Sequence, residues 1–297
     1  MKTITITQTQ TPSLYRLFTF LVLTNNLVKA NMFIYAGCSQ GNKYQPNTPY
    51  EATLNSLLSS MATSSSQSLY NSFALGNYSS GNPDGSVFGL YQCRGDLKTR
   101  ECSICVAKAI EEVSLVCPYT LGATMQLEGC FVRYEHSDFI GKLDTSLMFK
   151  RCGYEDGVND AEDFVKRRDE VVADIQQGAA MAGFRISSSG SVHGLAQCLG
   201  DLSASDCSAC LSDAVAKMIS LCSRSATAAD VFLAQCYARY WVSTYYKAAP
   251  DSTNDDEVGK TVAIVVGVLA GVAIFVVLLS ICRKALVGNL SSLLHNS

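Results

Sequence analysis

The chain has 297 residues, of which 13 are cysteine and 16% are charged, against about 25% charged in an average soluble domain. Its 48% apolar content and mean hydropathy of +0.14 exclude a disordered chain. All 26 acidic residues lie between Glu51 and Glu257, and residues 31–259 carry 17 basic side chains against them, a formal net charge of −9 that argues against nucleic acid as a partner.

Residues 1–30 place basic side chains early, then the short apolar run Leu17-Phe18-Thr19-Phe20-Leu21-Val22-Leu23, and close on Val28-Lys29-Ala30. This is the pattern of a secretory signal peptide, cleaved after Ala30 or, as the second choice, after Ala36. The predicted elements then begin with a helix over Glu51–Ser64, where Leu54, Leu57, Leu58 and Met61 share one face. Asn77-Tyr78-Ser79 is a glycosylation sequon in a polar loop. Val87–Gln92 reads as a short strand ending at Cys93, and Gly95-Asp96 turns the chain into a helix over Thr99–Val116. In that helix Cys102, Cys105, Ala109, Val113 and Cys117 recur at spacings of three and four, on the buried stripe. Met125–Tyr134 reads as a long core strand, and a last strand of this half is expected near Phe139-Ile140.

The same text then starts again. Cys93, Cys102, Cys105 and Cys117 recur 105 residues later as Cys198, Cys207, Cys210 and Cys222, and Cys130 recurs as Cys236 with one residue inserted. Cys38 and Cys152 precede the two sets, giving six and six, with Cys282 left over. Val87-x-Gly89-Leu90-x-Gln92-Cys93-x-Gly95-Asp96-Leu97 matches Val192-x-Gly194-Leu195-x-Gln197-Cys198-x-Gly200-Asp201-Leu202. Leu127-x-x-Cys130-x-x-Arg133-Tyr134 likewise matches Leu233-x-x-Cys236-x-x-Arg239-Tyr240. The second copy is expected to hold a helix over Glu162–Met181, with Phe164, Val165, Val171, Val172 and Ile175 inward. Ser203, three residues before Asp206, reads as a helix cap, where copy one has the weaker Lys98 and Glu101. Val231–Val242 reads as the second long core strand. No Gly/Ser/Pro-rich hinge separates the copies, so a fixed relation between them is expected.

Ala248–Lys260 is a polar, acidic stalk, followed by 20 uncharged residues from Val262 to Ile281. As a helix that run spans about 30 Å, the thickness of a bilayer core. Arg283-Lys284 follow it and Asp255-Asp256-Glu257 precede it, so the positive-inside rule predicts a type I topology with a 15-residue cytoplasmic tail. Ala263, Gly267 and Gly271 lie four apart on one face of this transmembrane helix, a small-residue stripe suited to helix pairing. Cys282, beside Arg283, is a candidate for palmitoylation.

The C-x2-C motif is shared by zinc sites, redox centres and disulfide frameworks. A zinc ribbon needs two close C-x2-C pairs, and each copy has one; the body holds just His136 and His193, which do not occupy matching positions. A signal peptide and an even count favour structural disulfides, with no metal and no cofactor expected. Spacing alone leaves open the 15 pairings of six cysteines. No catalytic constellation is present: Glu111-Glu112 are adjacent on a helix and point apart, and neither a nucleophile elbow nor a phosphate loop occurs, so no enzyme is predicted. Arg94-Gly95-Asp96 spells an integrin-type tripeptide, but copy two has Leu199-Gly200-Asp201, so the Gly-Asp pair reads as a structural turn.

C-x8-C-x2-C in two tandem copies, with Gln-Cys-x-Gly-Asp-Leu at each start, resembles the plant ginkbilobin-homologous cysteine-rich modules. Two such modules between a signal peptide and one transmembrane helix, with no kinase, resemble the plasmodesmata-located proteins. The resemblance implies an α+β fold: two tandem disulfide-stapled modules, each two helices on a five-stranded antiparallel sheet, plus a single transmembrane helix. It implies the bridges Cys38–Cys117, Cys93–Cys102 and Cys105–Cys130, repeated as Cys152–Cys222, Cys198–Cys207 and Cys210–Cys236. The implied layout is a signal peptide (1–30), module one (31–144), module two (145–247), stalk (248–260), membrane helix (261–282) and tail (283–297). The implied role is a non-catalytic protein of the plasma membrane at plasmodesmata that limits cell-to-cell traffic by promoting callose deposition. The implied partners are the plasma membrane, related chains in homo- or hetero-oligomers, cell-wall carbohydrate, the callose-synthesis machinery, receptor kinases and viral movement proteins. A cell-surface lectin-like co-receptor in plant defence is the alternative.

Overall fold

Thr48 starts the first helix by accepting a hydrogen bond from the Glu51 amide at 3.4 Å, and Pro49 takes the first helical position, where a missing N–H costs nothing. In the computed structural model, which describes residues 31–41, 43–76, 85–154 and 161–243, the elements of the first module are β1 (Phe33–Cys38), α1 (Pro49–Ser64), β2 (Tyr70–Leu75), β3 (Val87–Cys93), α2 (Thr99–Val116), β4 (Gly122–Leu127) and β5 (Cys130–Glu135). The second module repeats them as β6 (Leu147–Gly153), α3 (Ala161–Ala182), β7 (Phe184–Ser189), β8 (Val192–Cys198), α4 (Ala204–Leu221), β9 (Ala228–Leu233) and β10 (Cys236–Val242).

Each module is a five-stranded antiparallel sheet, in the order β1-β4-β5-β3-β2 and β6-β9-β10-β8-β7, with two helices on one face. The α4 cap forms as a Ser203 hydroxyl accepting from the Asp206 amide at 3.2 Å. At α2 the Lys98 side chain has no acceptor to offer; instead the Glu101 carboxylate accepts from the Lys98 amide at 2.9 Å.

Two expectations are corrected. Met125–Tyr134 and Val231–Val242 are not single strands but tight hairpins, β4–β5 and β9–β10, turning at Glu128-Gly129 and Ala234-Gln235. The apolar runs on either side of each turn pair with one another, which buries the backbone polar groups of both. Phe139-Ile140 forms a turn rather than a strand, because its work is to cover a side chain: the Phe139 ring lies 4.2 Å from the Arg133 guanidinium.

Alternation along the strands divides the core in three. On β3, Val87, Tyr91 and Cys93 face the helices, where Leu57 and Met61 of α1 press on Gly89, while Leu90 faces the other way. The helix-side clusters are one per module. The third cluster joins Tyr35, Leu90, Phe131 and Phe139 of the first module to Leu199 and Phe232 of the second. Both sheets are therefore covered on both faces, and the face away from the helices, which mixes aromatic with polar side chains, is spent on the other module.

Candidate functional site

The shared face is built by residues at equivalent positions of the two repeats. Tyr35 on β1 stacks on Phe149 on β6, with ring centroids 6.1 Å apart and planes 12° from parallel, and both meet the Phe232 ring edge-on. Gly95 lies under the Phe184 ring and Gly200 under the Tyr70 ring; an added Cβ would sit 2.5 Å and 2.7 Å from those rings. These contacts require glycine for close approach and so explain the Gly-Asp pair of each repeat. The buried amides cross as well. Gln197 Nε2 donates to the Cys93 carbonyl at 2.9 Å, and the Gly200 amide donates to Gln92 Oε1 at 3.0 Å. The connector is pinned to the second module, since the Gly141 amide donates to Asp201 at 2.9 Å and the Asp144 amide to Gln235 at 2.7 Å.

At the centre is a fully buried guanidinium. Arg239 donates through Nε to Asp230 at 2.7 Å and through Nη1 to Glu128 of the first module at 2.6 Å. Glu128 also accepts from Arg94 at 3.3 Å, Arg94 from its other side holds Asp96 at 2.7 Å, and Arg151 holds Asp230 at 2.6 Å. Three guanidinium groups meet three carboxylates, so the buried charge is balanced. Arg94 and Asp96 are thus occupied within the interface, and the Arg94-Gly95-Asp96 tripeptide is not presented as a free loop. Burial pushes the hydroxyls of Tyr35 and Tyr237 well above the ordinary phenol range, with Arg133 acting the other way on Tyr35 and Arg94 on Tyr237. The Tyr237 hydroxyl donates to Gln197 at 3.0 Å.

A cleft of about 560 Å³ opens beside this interface. One wall is Tyr70, Gln92 and Gly95 of the first module; the other runs from Ala180 to Phe184, past the Cys198–Cys207 bridge, to Leu202 and Ala204. Nothing in the sequence signals it, because its walls are brought together by a contact between residues more than 100 positions apart.

Among the described residues the sulfurs are joined as Cys38–Cys117, Cys93–Cys102, Cys105–Cys130, Cys152–Cys222, Cys198–Cys207 and Cys210–Cys236. The second bridge of each module ties the end of β3 or β8 to the first turn of α2 or α4, and the third ties that helix to β5 or β10. Glu111 and Glu112 sit on the α2 surface, where Lys108 faces both at 3.3 and 3.4 Å. Among the described residues no cluster of three or more His, Cys, Asp or Glu could hold a metal ion, and no helix is long and apolar enough to cross a membrane. Asn77, Ala263, Gly267, Gly271 and Cys282 lie outside the described residues, as do the expected signal peptide, stalk, membrane helix and tail.

The Salt stress response/antifungal family profile matches twice, over residues 37–137 and 151–243. Plasmodesmata-located protein 8 of Arabidopsis thaliana is 54% identical over 259 residues, covering 87% of this chain and 91% of that one. Plasmodesmata-located protein 6 of the same plant is 42% identical over 275 residues, covering 89% and 92%. The crystal structure of the tandem DUF26 ectodomain of the Arabidopsis cysteine-rich receptor-like protein PDLP8 superposes with a TM-score of 0.66, covering 72% of this chain and 99% of that one. With two matched modules packed back to back and relatives aligned across nearly their whole length, the chain belongs to the plasmodesmata-located protein family.

Proposed function

We propose that this chain is a single-pass type I membrane protein of plasmodesmata, non-catalytic, whose paired modules face the extracellular side and recognise partners there. The modules are tethered by the stalk at 248–260 and the membrane helix at 261–282, with the tail at 283–297 inside the cell. In this reading Asn77 carries a glycan, Ala263, Gly267 and Gly271 form a helix-pairing face, and Cys282 is palmitoylated at the inner boundary. The protein restricts cell-to-cell traffic by promoting callose deposition. It does so by docking partners, among them related chains, the callose-synthesis machinery or receptor kinases, and viral movement proteins. The observation that carries the reading is the 54% identity, over 259 residues, to a relative named for plasmodesmata.

The test is a dose series of the full-length chain in leaf epidermis, reading the spread of a free fluorescent protein from single transformed cells and aniline-blue staining of callose. Less spread and more callose with dose support the reading. Unchanged spread at every dose contradicts it.

A second reading, a lectin-like co-receptor of carbohydrate, is favoured by one feature at the margin of the helix-free sheet face. The half-buried Trp241 stacks on His193 at 6.0 Å, making a flat aromatic pair at the end of β10. A glycan array probed with the full chain in nanodiscs tests it, and binding to no glycan would remove it.

A further inference from the structure

We propose that the end of the second module from which the chain leaves docks on the headgroup region of a zwitterionic lipid bilayer, through Tyr154, Ile219, Leu221 and Trp241. The inference rests on the type I topology proposed above. Hydrogen bonds gather these residues at one end of the module. The Val242 amide donates to the Thr227 carbonyl at 3.0 Å, and the Thr227 amide donates to the Gly153 carbonyl at 2.9 Å. The end of β10, the loop after α4 and the end of β6 therefore meet there, and the Cys152–Cys222 bridge ties β6 to the residue that follows α4. Trp241 pairs with Ala228, and Ala228 with Gly153, one position before Tyr154. Tyr154 is 61% exposed, Ile219 70% and Leu221 39%. Trp241 is half-buried, with its ring stacked on His193 at 6.0 Å.

The tether says what covers this end. Among the described residues β10 is the last element, and 17 residues (244–260) separate Ser243 from the expected membrane helix at 261–282. A flexible chain of that length has an r.m.s. end-to-end distance of about 20–25 Å, so this end is held near the bilayer surface and a weak contact is enough to seat it. Composition agrees. Tyrosine and tryptophan join an apolar ring to a polar atom and concentrate at membrane–water interfaces, where aliphatic side chains beside them enter the acyl boundary. Counted from the equivalent cysteines, the same four positions of the first module hold Gln40, Ser114, Val116 and Glu135, three of them polar. The first module does expose Leu115, Val116 and Tyr119 around the end of α2, but its chain runs on into the connector and not into the stalk. Charge selects the lipid. Residues 31–259 carry a formal net charge of −9, and Glu155 and Asp156 follow Tyr154 in the sequence, so an anionic surface is repelled and a zwitterionic one is not. A ring held against lipid is not available to a glycan, so this inference and the carbohydrate reading make opposite claims on Trp241.

Trp241 is the single tryptophan of the chain, so its fluorescence reports on this end alone. The test places the full-length chain in phosphatidylcholine nanodiscs, one chain per disc, with a nitroxide carried either on the lipid headgroup or deep in the acyl chain. The headgroup nitroxide is expected to quench Trp241 several-fold more strongly than the deep one. That quenching should fall several-fold in the double variant Ile219→Asp, Leu221→Asp, which keeps the tether, and stay unchanged in Leu115→Asp on the first module. Non-reducing peptide mapping that finds twelve oxidised cysteines establishes that a variant has kept its fold; should the aspartate variant not fold, Ile219→Ser, which installs the residue of the first module, is read in its place. A chain that stays with the disc overturns the docking surface, and leaves the topology standing, if Trp241 is unquenched, equally quenched by both lipids, or quenched as before in the folded variant. The end is then bare or covered by a second copy. A chain that does not stay with the disc overturns the topology and the docking surface together.

Discussion

Arg239 ties the two modules together, its buried guanidinium shared between Asp230 of its own module and Glu128 of the other. The repeat displays Arg133 and Arg239 at the same position, each inside an apolar strand, and an arginine there is a sign of burial with a carboxylate. Which carboxylate is invisible: Glu128 lies 111 positions away, and its own counterpart in the second repeat is the uncharged Ala234. Replacing Glu128 by Gln leaves Arg239 with Asp230 as its anionic partner among the contacts named above, and Glu128 is itself partly exposed. The expected loss is about 1–3 kcal/mol, seen as a lower urea midpoint with all twelve cysteines oxidised. Tyr35 and Tyr237 make a pH prediction of defined sign. Their folded-state pKa values are raised by burial, so the stability they contribute is whole below the ordinary tyrosine value of about 10 and is lost as pH rises above it. Tyrosinate absorbance should therefore lag that of free tyrosine and then appear together with unfolding; independent titration of every tyrosine without loss of structure would contradict this.

At the scale of elements, the helices are legible in the sequence and one edge strand of each sheet, β2 and β7, is not. The helix expectations differ from α1, α2 and α3 by no more than two residues at either end, because Leu54, Leu57, Leu58 and Met61, and the α2 cysteines, keep a 3.6-residue period over several turns. The sequence does not signal β2 and β7: Tyr70–Leu75 and Phe184–Ser189 are edge strands with no fully buried position, β7 carries three serines in six residues, and neither shows a clear alternation. The hairpin turns were hidden because apolar residues run up to both sides of Glu128-Gly129 and Ala234-Gln235. The disulfide pairing came from family resemblance, since six cysteines at these spacings fit many pairings. In the structure the bridges close loops of very different size. Cys38–Cys117 spans 79 positions and Cys93–Cys102 spans 9. Chain entropy then predicts that replacing the first pair by alanines costs about 4–5 kcal/mol and the second about 3 kcal/mol. Thermal unfolding of the two double variants checks the order, and a larger loss for the short loop would contradict it.

The two modules are related by an internal two-fold character, in which each sheet uses its helix-free face on the other. The absence of a flexible hinge in the sequence pointed to a fixed relation, but the aromatic and guanidinium contacts that fix it belong to residues far apart in the chain. Gly200 is the simplest place to test this. A valine there would strike the Tyr70 ring, costing about 1–3 kcal/mol and loosening the pair, while both sets of three bridges stay closed. Limited proteolysis in the connector at 136–146 should become faster in Gly200→Val; unchanged cleavage would mean the modules are not held by this contact. In the function proposed above, the paired modules would recognise partners outside the cell and gather them at one place. The most direct measurement is therefore live imaging of the full-length chain, fluorescently tagged at its C-terminus, beside callose-stained plasmodesmata. Discrete spots at shared walls that coincide with the stain are predicted, and an even label over the whole plasma membrane would contradict the proposed role.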